Sequence, residues 1–170
     1  MNEMTQARYI LGHSQEEMRR LMLQATILRP FTERLLRNAE IGPGMRVLDL
    51  GCGAGDVSML AAELVGPSGS VVGIDRSPQV IALARTRAQA AGLRQVIFKE
   101  VPLHTFSDPD TFDCVIGRYV LVHQSDPIDF LRTAARLVRP GGIIAFHEVD
   151  FAGGFNSLPA FPLMFPGCRS

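Results

Sequence analysis

VLDLGCGAGD, residues 47–56, is the stretch that decides the fold of this 170-residue chain. A short apolar run, interrupted by Asp49, leads into glycines at positions 51, 53 and 55. Glycine tolerates left-handed backbone and carries no side chain, so such a loop can turn tightly and let a ligand approach the backbone. The stretch therefore predicts a strand, a ligand-binding turn and the start of a helix.

A second acid, Asp75, ends the apolar run of residues 71–75. It stands about 20 residues beyond the glycines, where a carboxylate can accept both ribose hydroxyls of an adenosine ligand. Capping of the helix that begins near Ser77 and Pro78 is the structural alternative. A nicotinamide-dependent oxidoreductase is disfavoured, because its G-x-G-x-x-G fingerprint needs glycine where Asp56 stands. Asp49 suits a cationic ligand better than a pyrophosphate.

The rest of the pattern alternates apolar strands with helices, which predicts an open, doubly wound, mostly parallel sheet covered on both faces. The ligand is expected beyond the carboxyl ends of the strands. Strands are predicted at 47–50, 71–75, 96–98, 112–117 and 143–146, and helices at 57–65, 78–91 and 127–138. A turn is predicted at 140–142, before the last strand.

The predicted organisation is an N-terminal helical cap segment at 1–40, a core at 41–150 and an irregular apolar tail at 151–170. In the cap segment, Ser14 begins a helix through a capping box. Pro30 is expected to interrupt that helix, and a second one to follow over 31–39.

The glycine and acid motifs, VLDLGCGAGD and VVGIDRS, resemble the first two motifs of class I S-adenosylmethionine-dependent methyltransferases. FDCVIGRYVLVH at 112–123 and LVRPGGIIAF at 137–146 resemble the fourth- and fifth-strand segments of that family. The resemblance covers roughly residues 40–150 and is close to the branch that methylates small molecules, including quinone precursors and natural products. It implies a Rossmann-like fold in three layers, α/β/α, with S-adenosylmethionine as the cofactor.

The resemblance also implies roles for individual residues. The methionine part of the cofactor would be surrounded by one loop and the acid before it: Asp49, Gly51, Cys52, Gly53 and Gly55. Asp75 would hold the ribose, Arg76 would lie beside the adenine, and Arg118 would meet the methionine end, largely through its backbone.

Other contacts expected of the family are less defined here. The acid that usually meets the adenine amino group is missing from 101–103, so that contact would fall to backbone groups. Tyr9 and His13 are candidates to touch cofactor or substrate, with ordinary packing as the alternative. Cys52 is expected to be a small buried residue rather than a nucleophile.

Methyl transfer is an in-line displacement at an activated carbon, so the protein contributes orientation and desolvation, with a base only where the acceptor carries a proton. The candidate bases are His123, His147 and Glu148, although for each of them a structural role as a polar residue at a strand end is the favoured alternative. No metal site is predicted, because His147 and Glu148 point to opposite sides of an extended chain.

Composition narrows the range of binding partners that the protein is expected to have. Seventeen basic residues balance seventeen acidic ones, which gives no general attraction to nucleic acid or to anionic membranes. The absence of a signal peptide, of a long apolar run and of paired cysteines predicts a cytoplasmic protein. No Asn-Pro-Pro-Tyr or Asp-Pro-Pro-Tyr follows the fourth strand, so the acceptor is expected to be a small organic molecule.

The tail is short for the family, whose members usually continue through a helix and two more strands. The chain is therefore expected to be C-terminally truncated, with an exposed fifth-strand edge that the phenylalanine-rich tail or a second copy in a homodimer would cover. Two functions stay open: an active small-molecule methyltransferase, or a cofactor-binding remnant (a pseudoenzyme) without turnover.

Overall fold

Helices and strands alternate along the part of the chain that the computed structural model describes, residues 15–149. The long elements, in chain order, are α1 (Gln15–Asn38), β1 (Arg46–Leu50), α2 (Asp56–Val65), β2 (Ser70–Asp75), α3 (Pro78–Ala90), β3 (Val96–Glu100), β4 (Phe112–Arg118), α4 (Pro127–Ala135) and β5 (Val138–His147). Two short 3-10 turns lie at Leu103–Thr105 and Leu121–His123.

The five strands form one parallel sheet in the order β3-β2-β1-β4-β5. The chain reverses its direction of winding between β1 and β4, so the loops that follow these two strands diverge and leave a crevice at their carboxyl ends. The predicted doubly wound α/β fold is confirmed.

Apolar side chains leave the sheet on both faces, as the near-continuous apolar strands predicted. One face carries Val47, Val71 and Ile116 against α1, α2 and α3. The other carries Leu48, Ile74 and Val115 against α4 and the turn at Leu103–Thr105. The result is the predicted three-layer arrangement. Within the described range, no helix combines the length and the apolar character needed to cross a membrane.

The N-terminal helix differs from its prediction, because α1 runs unbroken through Pro30 where two helices were expected. Proline removes one helical hydrogen bond and crowds the preceding turn. The burial of Ala25, Thr32 and Leu36, on both sides of the proline, holds the two halves in one helix against that cost. Ser14, the predicted cap, lies outside the described residues.

The predicted boundaries around α4 and β5 are also wrong. The helix ends at Ala135, and β5 begins at Val138, five residues before the predicted start. Phe112 pairs with Val138 and Cys114 with Ile143, so the ladder shifts register over the segment that was predicted as a turn. Gly141, with φ of 75°, supplies the left-handed residue of this bulge.

Candidate functional site

A cleft of about 960 Å³ lies beyond the carboxyl ends of the strands. The glycine loop, the end of β2 and the segment after β4 contribute to its wall, together with residues 101–104 and the start of α4. The topology thus brings both sequence motifs to one site, as predicted for ligands of open α/β sheets.

All three loop glycines have positive φ, but they differ in the space available to a side chain. A side chain on Gly51 would meet Val120 at 2.9 Å, and one on Gly55 would meet the Phe98 ring at 2.7 Å. Gly53, with φ of 52°, has nothing within 4 Å of the place where a Cβ would stand. Gly51 and Gly55 are therefore required by packing, whereas Gly53 leaves the backbone bare on its open side.

Asp56 follows the loop and begins α2, where a dinucleotide fingerprint would have its third glycine. Its carboxylate pairs with Arg87 of α3 at 2.6 Å, and the same guanidinium donates to the carbonyl of Ala54 at 2.6 Å. The acid thus has a structural use, which ties the loop to the next helix.

The Asp75 carboxylate meets the glycine loop directly. One of its oxygens accepts from the backbone N–H of Gly53 at 3.1 Å, and the other accepts from that of Ser77 at 2.9 Å. The side chain lines the cleft beside Arg76, which is exposed. The carboxylate thus makes the structural contact beside Ser77, while the same side chain faces the cleft in which a ribose was expected.

Asp49 is buried at the floor of the cleft, where Ser58 Oγ of α2 donates to its carboxylate at 2.5 Å. Burial raises the pKa of Asp49 to about 7, against the opposing effects of the Ser58 hydrogen bond and the Arg118 charge. Burial likewise raises the pKa of the neighbouring Cys52 thiol. Cys52 is thus a small buried thiol, as expected, and not an activated nucleophile.

Arg118, at the end of β4, also lines the cleft, and its guanidinium reaches back to α1. It donates to the buried Thr32 hydroxyl at 3.2 Å, and the same hydroxyl lies 3.5 Å from His147 Nδ1. The His147 and Tyr119 rings lie with their centroids 5.3 Å apart and their planes tilted by 54°. Burial and the Arg118 charge lower the pKa of His147.

Of the three candidate bases, only His123 is among the residues that line the cleft. His147 is turned towards Thr32 and Tyr119. One oxygen of Glu148 accepts from the backbone N–H groups of Val120 and Leu121, both at 2.9 Å. The structure therefore brings His123 to the site and gives the other two residues structural contacts.

Several lining residues escaped sequence reasoning. Tyr119 has φ of 56°, uncommon for a residue other than glycine, asparagine or aspartate, and such strain concentrates at functional sites. Phe130 and Thr133 contribute to the lining from α4, and Thr32 of α1, which lies behind the wall, holds the lining residue Arg118. Their sequence surroundings carry no signal, because an apolar or hydroxyl residue on a helix is ordinary.

Residues 101–103, which have no acid, line the cleft together with His104. Tyr9 and His13 lie outside the described residues. Among residues 15–149, no three histidine, cysteine or acidic side chains come together as a metal site would require.

Comparison with known proteins agrees with this geometry. The family model of the methyltransferase domain matches residues 41–161, so the chain belongs to the methyltransferase domain family. The family resemblance noted in the sequence is thereby confirmed.

Individual relatives are consistent with this assignment. The aklanonic acid methyltransferase DauC of Streptomyces sp. (strain C5) is 39% identical over 132 residues, which are 76% of this chain and 60% of the relative. A ubiquinone biosynthesis O-methyltransferase of Rhizobium etli (strain CIAT 652) is 40% identical over 102 residues, 59% of this chain and 40% of the relative. The chain thus spans 40% to 60% of the length of these two proteins.

Among solved structures, a SAM-dependent methyltransferase from Aquifex aeolicus superposes with a TM-score of 0.63 at 28% identity. The match covers 68% of this chain and 62% of that one. The fold of the described residues is therefore that of S-adenosylmethionine-dependent methyltransferases.

Proposed function

We propose that the protein binds S-adenosylmethionine in this cleft and transfers its methyl group to a small organic acceptor. The observation that carries the proposal is the contact between the two motifs: the Asp75 carboxylate meets the N–H of Gly53 at the edge of the cleft. A bare backbone beside a carboxylate fits a ribose with two hydroxyl groups close to a turning chain.

The two acids that line the cleft also fit this cofactor. Asp49 and Asp75 place two acids beside the loop, which suits a ligand with an ammonium and a sulfonium group. Gly51, Gly53 and Asp49 would surround its methionine part, and Asp75 would hold its ribose. The names of the two relatives, which refer to aklanonic acid and ubiquinone biosynthesis, support a small organic acceptor.

The cofactor, when bound, supplies a methyl group activated by its positive sulfur. The protein's own contribution is then to align the acceptor with that carbon and to exclude water. Apolar side chains on the cleft wall, among them Val122, Phe130 and Val149, suit both tasks. His123 lines the cleft and is therefore the candidate base placed to take a proton from an acceptor that carries one.

No observation favours the alternative of a cofactor-binding remnant, so the proposal keeps the active transferase. The homodimer and the cytoplasmic location stay predictions from the sequence.

The first test is a calorimetric titration of the purified chain with S-adenosylmethionine and, separately, with NAD. Binding of the first and not of the second is expected. A screen of phenols, quinols and organic acids for a mass gain of one methyl group then tests transfer. Failure of a folded chain to bind S-adenosylmethionine would overturn the proposal, and binding without transfer to any acceptor would favour the remnant.

A further inference from the structure

We infer that Glu148 is a positioning residue: its carboxylate holds the segment after β4, residues 119–123, in the shape that forms one wall of the cleft. The restraint acts on the wall whether or not a ligand is bound, whereas its effect on the affinity for S-adenosylmethionine rests on the proposed function. It replaces the role of a base, which was one interpretation of this residue from sequence.

The contact is direct and spans distant parts of the chain. Glu148 follows β5, and its Oε1 accepts from the N–H groups of Val120 and Leu121, 28 and 27 residues earlier. These two N–H groups begin the 3-10 turn at Leu121–His123, where no earlier turn supplies acceptors. A side chain just beyond the neighbouring strand therefore caps the turn.

The capped segment shapes the site at two places. A Cβ on Gly51 would lie 2.9 Å from the Val120 side chain, so Val120 rests directly on the glycine loop. Farther along, Val122 and His123 of the turn line the cleft. A shift of this segment would therefore alter the support of the glycine loop and the place of His123 together.

The segment also needs an external restraint. Tyr119 adopts a left-handed conformation that side chains disfavour, and such strain persists only where the surroundings hold it. The N–H of Tyr119 donates to the carbonyl of His147 at 2.8 Å, and Glu148 holds the next two N–H groups. His147 and Glu148 thus accept hydrogen bonds from three consecutive backbone N–H groups, those of residues 119–121.

The second oxygen of Glu148 is buried and has no hydrogen-bond partner among the described residues. Burial of an oxygen without a hydrogen-bond partner costs free energy. The other oxygen, Oε1, makes the whole contact. Reach and an acceptor atom should therefore matter more than negative charge.

This distinction can be tested with two complementary variants. Glu148→Gln keeps the reach and an accepting oxygen but loses the charge, whereas Glu148→Asp keeps the charge and is one methylene shorter. Glu63→Gln, on the exposed side of α2, is the matched control. The dissociation constant for S-adenosylmethionine is measured by calorimetry, and hydrogen exchange of the Val120 and Leu121 amides is measured by NMR without ligand.

Positioning predicts that Glu148→Gln binds within about threefold of the unchanged protein, and that Glu148→Asp binds about tenfold more weakly or worse. Exchange of the two amides should accelerate at least tenfold in Glu148→Asp and stay near normal in Glu148→Gln. The reverse order, with the glutamine variant impaired and the aspartate variant intact, would show a need for charge and overturn the inference. Unchanged exchange in both variants would also overturn it.

The exchange measurement separates this inference from the proposed function. If the unchanged protein does not bind S-adenosylmethionine, the proposed function fails while the amide protection still decides the role of Glu148. If a variant does not fold, as judged by circular dichroism, the other variant still gives a decisive result. If both Glu148 variants fail to fold while the Glu63→Gln protein folds, the positioning role is overturned in favour of a general structural one.

Discussion

The backbone N–H of Gly53 donates to the carboxylate of Asp75 at 3.1 Å, across 22 residues of sequence. This bond joins the loop after β1 to the end of β2, two strands that are neighbours in the sheet. It places loop backbone that has open space beside it next to a carboxylate, which is the arrangement on which the proposed cofactor site depends.

Replacement of Asp75 by alanine is expected to weaken the binding of S-adenosylmethionine by about 10- to 100-fold, because hydrogen bonds to a charged group contribute about 1.5–3 kcal/mol. The control is Asp110→Ala, at an exposed acid in the loop before β4. Calorimetric titration of both variants measures the effect. Equal affinities in the two variants would remove Asp75 from the site.

Substitutions at two loop glycines should affect the free energy of unfolding and the affinity for ligand differently. Gly55→Ala places a methyl group 2.7 Å from Phe98 and 3.1 Å from Ala84, at a φ of 85°. Overpacking and left-handed strain together are expected to lower the free energy of unfolding by about 3 kcal/mol.

Gly53→Ala meets no neighbouring atom, so only the strain of about 1 kcal/mol should appear in its free energy of unfolding. Its methyl group would nevertheless stand on the bare backbone, and the affinity for S-adenosylmethionine should fall. Urea unfolding and ligand titration of both variants check this pair. A Gly53→Ala protein that loses stability as much as Gly55→Ala would contradict it.

The buried Asp49 should make folding stability depend on pH. Its pKa of about 7 in the folded protein is above the ordinary value of 3.8, so the folded state binds the extra proton between these values. Stability from this group is therefore present at low pH and is lost as pH rises towards 7. Between pH 5 and pH 8 the loss should be about 3 kcal/mol.

Asp49→Asn removes the titrating group at nearly constant shape. The unfolding free energies of the two proteins, measured in urea at pH 5 and pH 8, should diverge as pH rises, with the asparagine variant losing less. Parallel pH profiles would show that Asp49 is ionised in the fold at both pH values.

Arg46 offers a test at the opposite end of the sheet. Its guanidinium pairs with the buried Asp108 at 2.6 Å and lies 4.1 Å above the Phe112 ring. Arg46→Ala leaves that carboxylate without its closest cation and should lower the free energy of unfolding by about 3 kcal/mol.

Arg46→Lys keeps the charge without the planar fork and should recover part of this stability. Because Arg46 stands at the amino end of β1, away from the cleft, neither variant should change ligand affinity under folding conditions. A marked loss of affinity in the folded lysine variant would show that the two ends of the sheet are coupled.

The two histidines should behave differently in methyl transfer. His123→Asn is expected to slow transfer to acceptors that carry a proton by about 100-fold, the lower range for general base catalysis. His147→Asn changes a side chain that faces Thr32 and Tyr119, so its main effect should be on stability. Rates with one acceptor, measured for both folded variants, distinguish the roles.

Much of the fold was predictable from sequence. Apolar strands, glycine turns and helix-compatible runs are local patterns, so the alternation of elements and the parallel sheet followed from them. The boundaries that failed, around Pro30 and before Val138, lie where tertiary packing outweighs a local signal. A proline is a strong local breaker, yet α1 continues because its buried side chains are held by the rest of the domain.

The sequence by itself determined the place of the site, because the strand-glycine-acid order brings Gly53 and Asp75 to one edge of any such sheet. Only the tertiary structure decided which side chains face it. Thr32 meets His147 across 115 residues and Glu148 meets Val120 across 28. The first contact turns one predicted base away from the cleft, and the second leaves the other supporting its wall. Such pairings depend on strand register and helix placement, which no local pattern encodes, whereas backbone conformation near a glycine is a property of the residue itself.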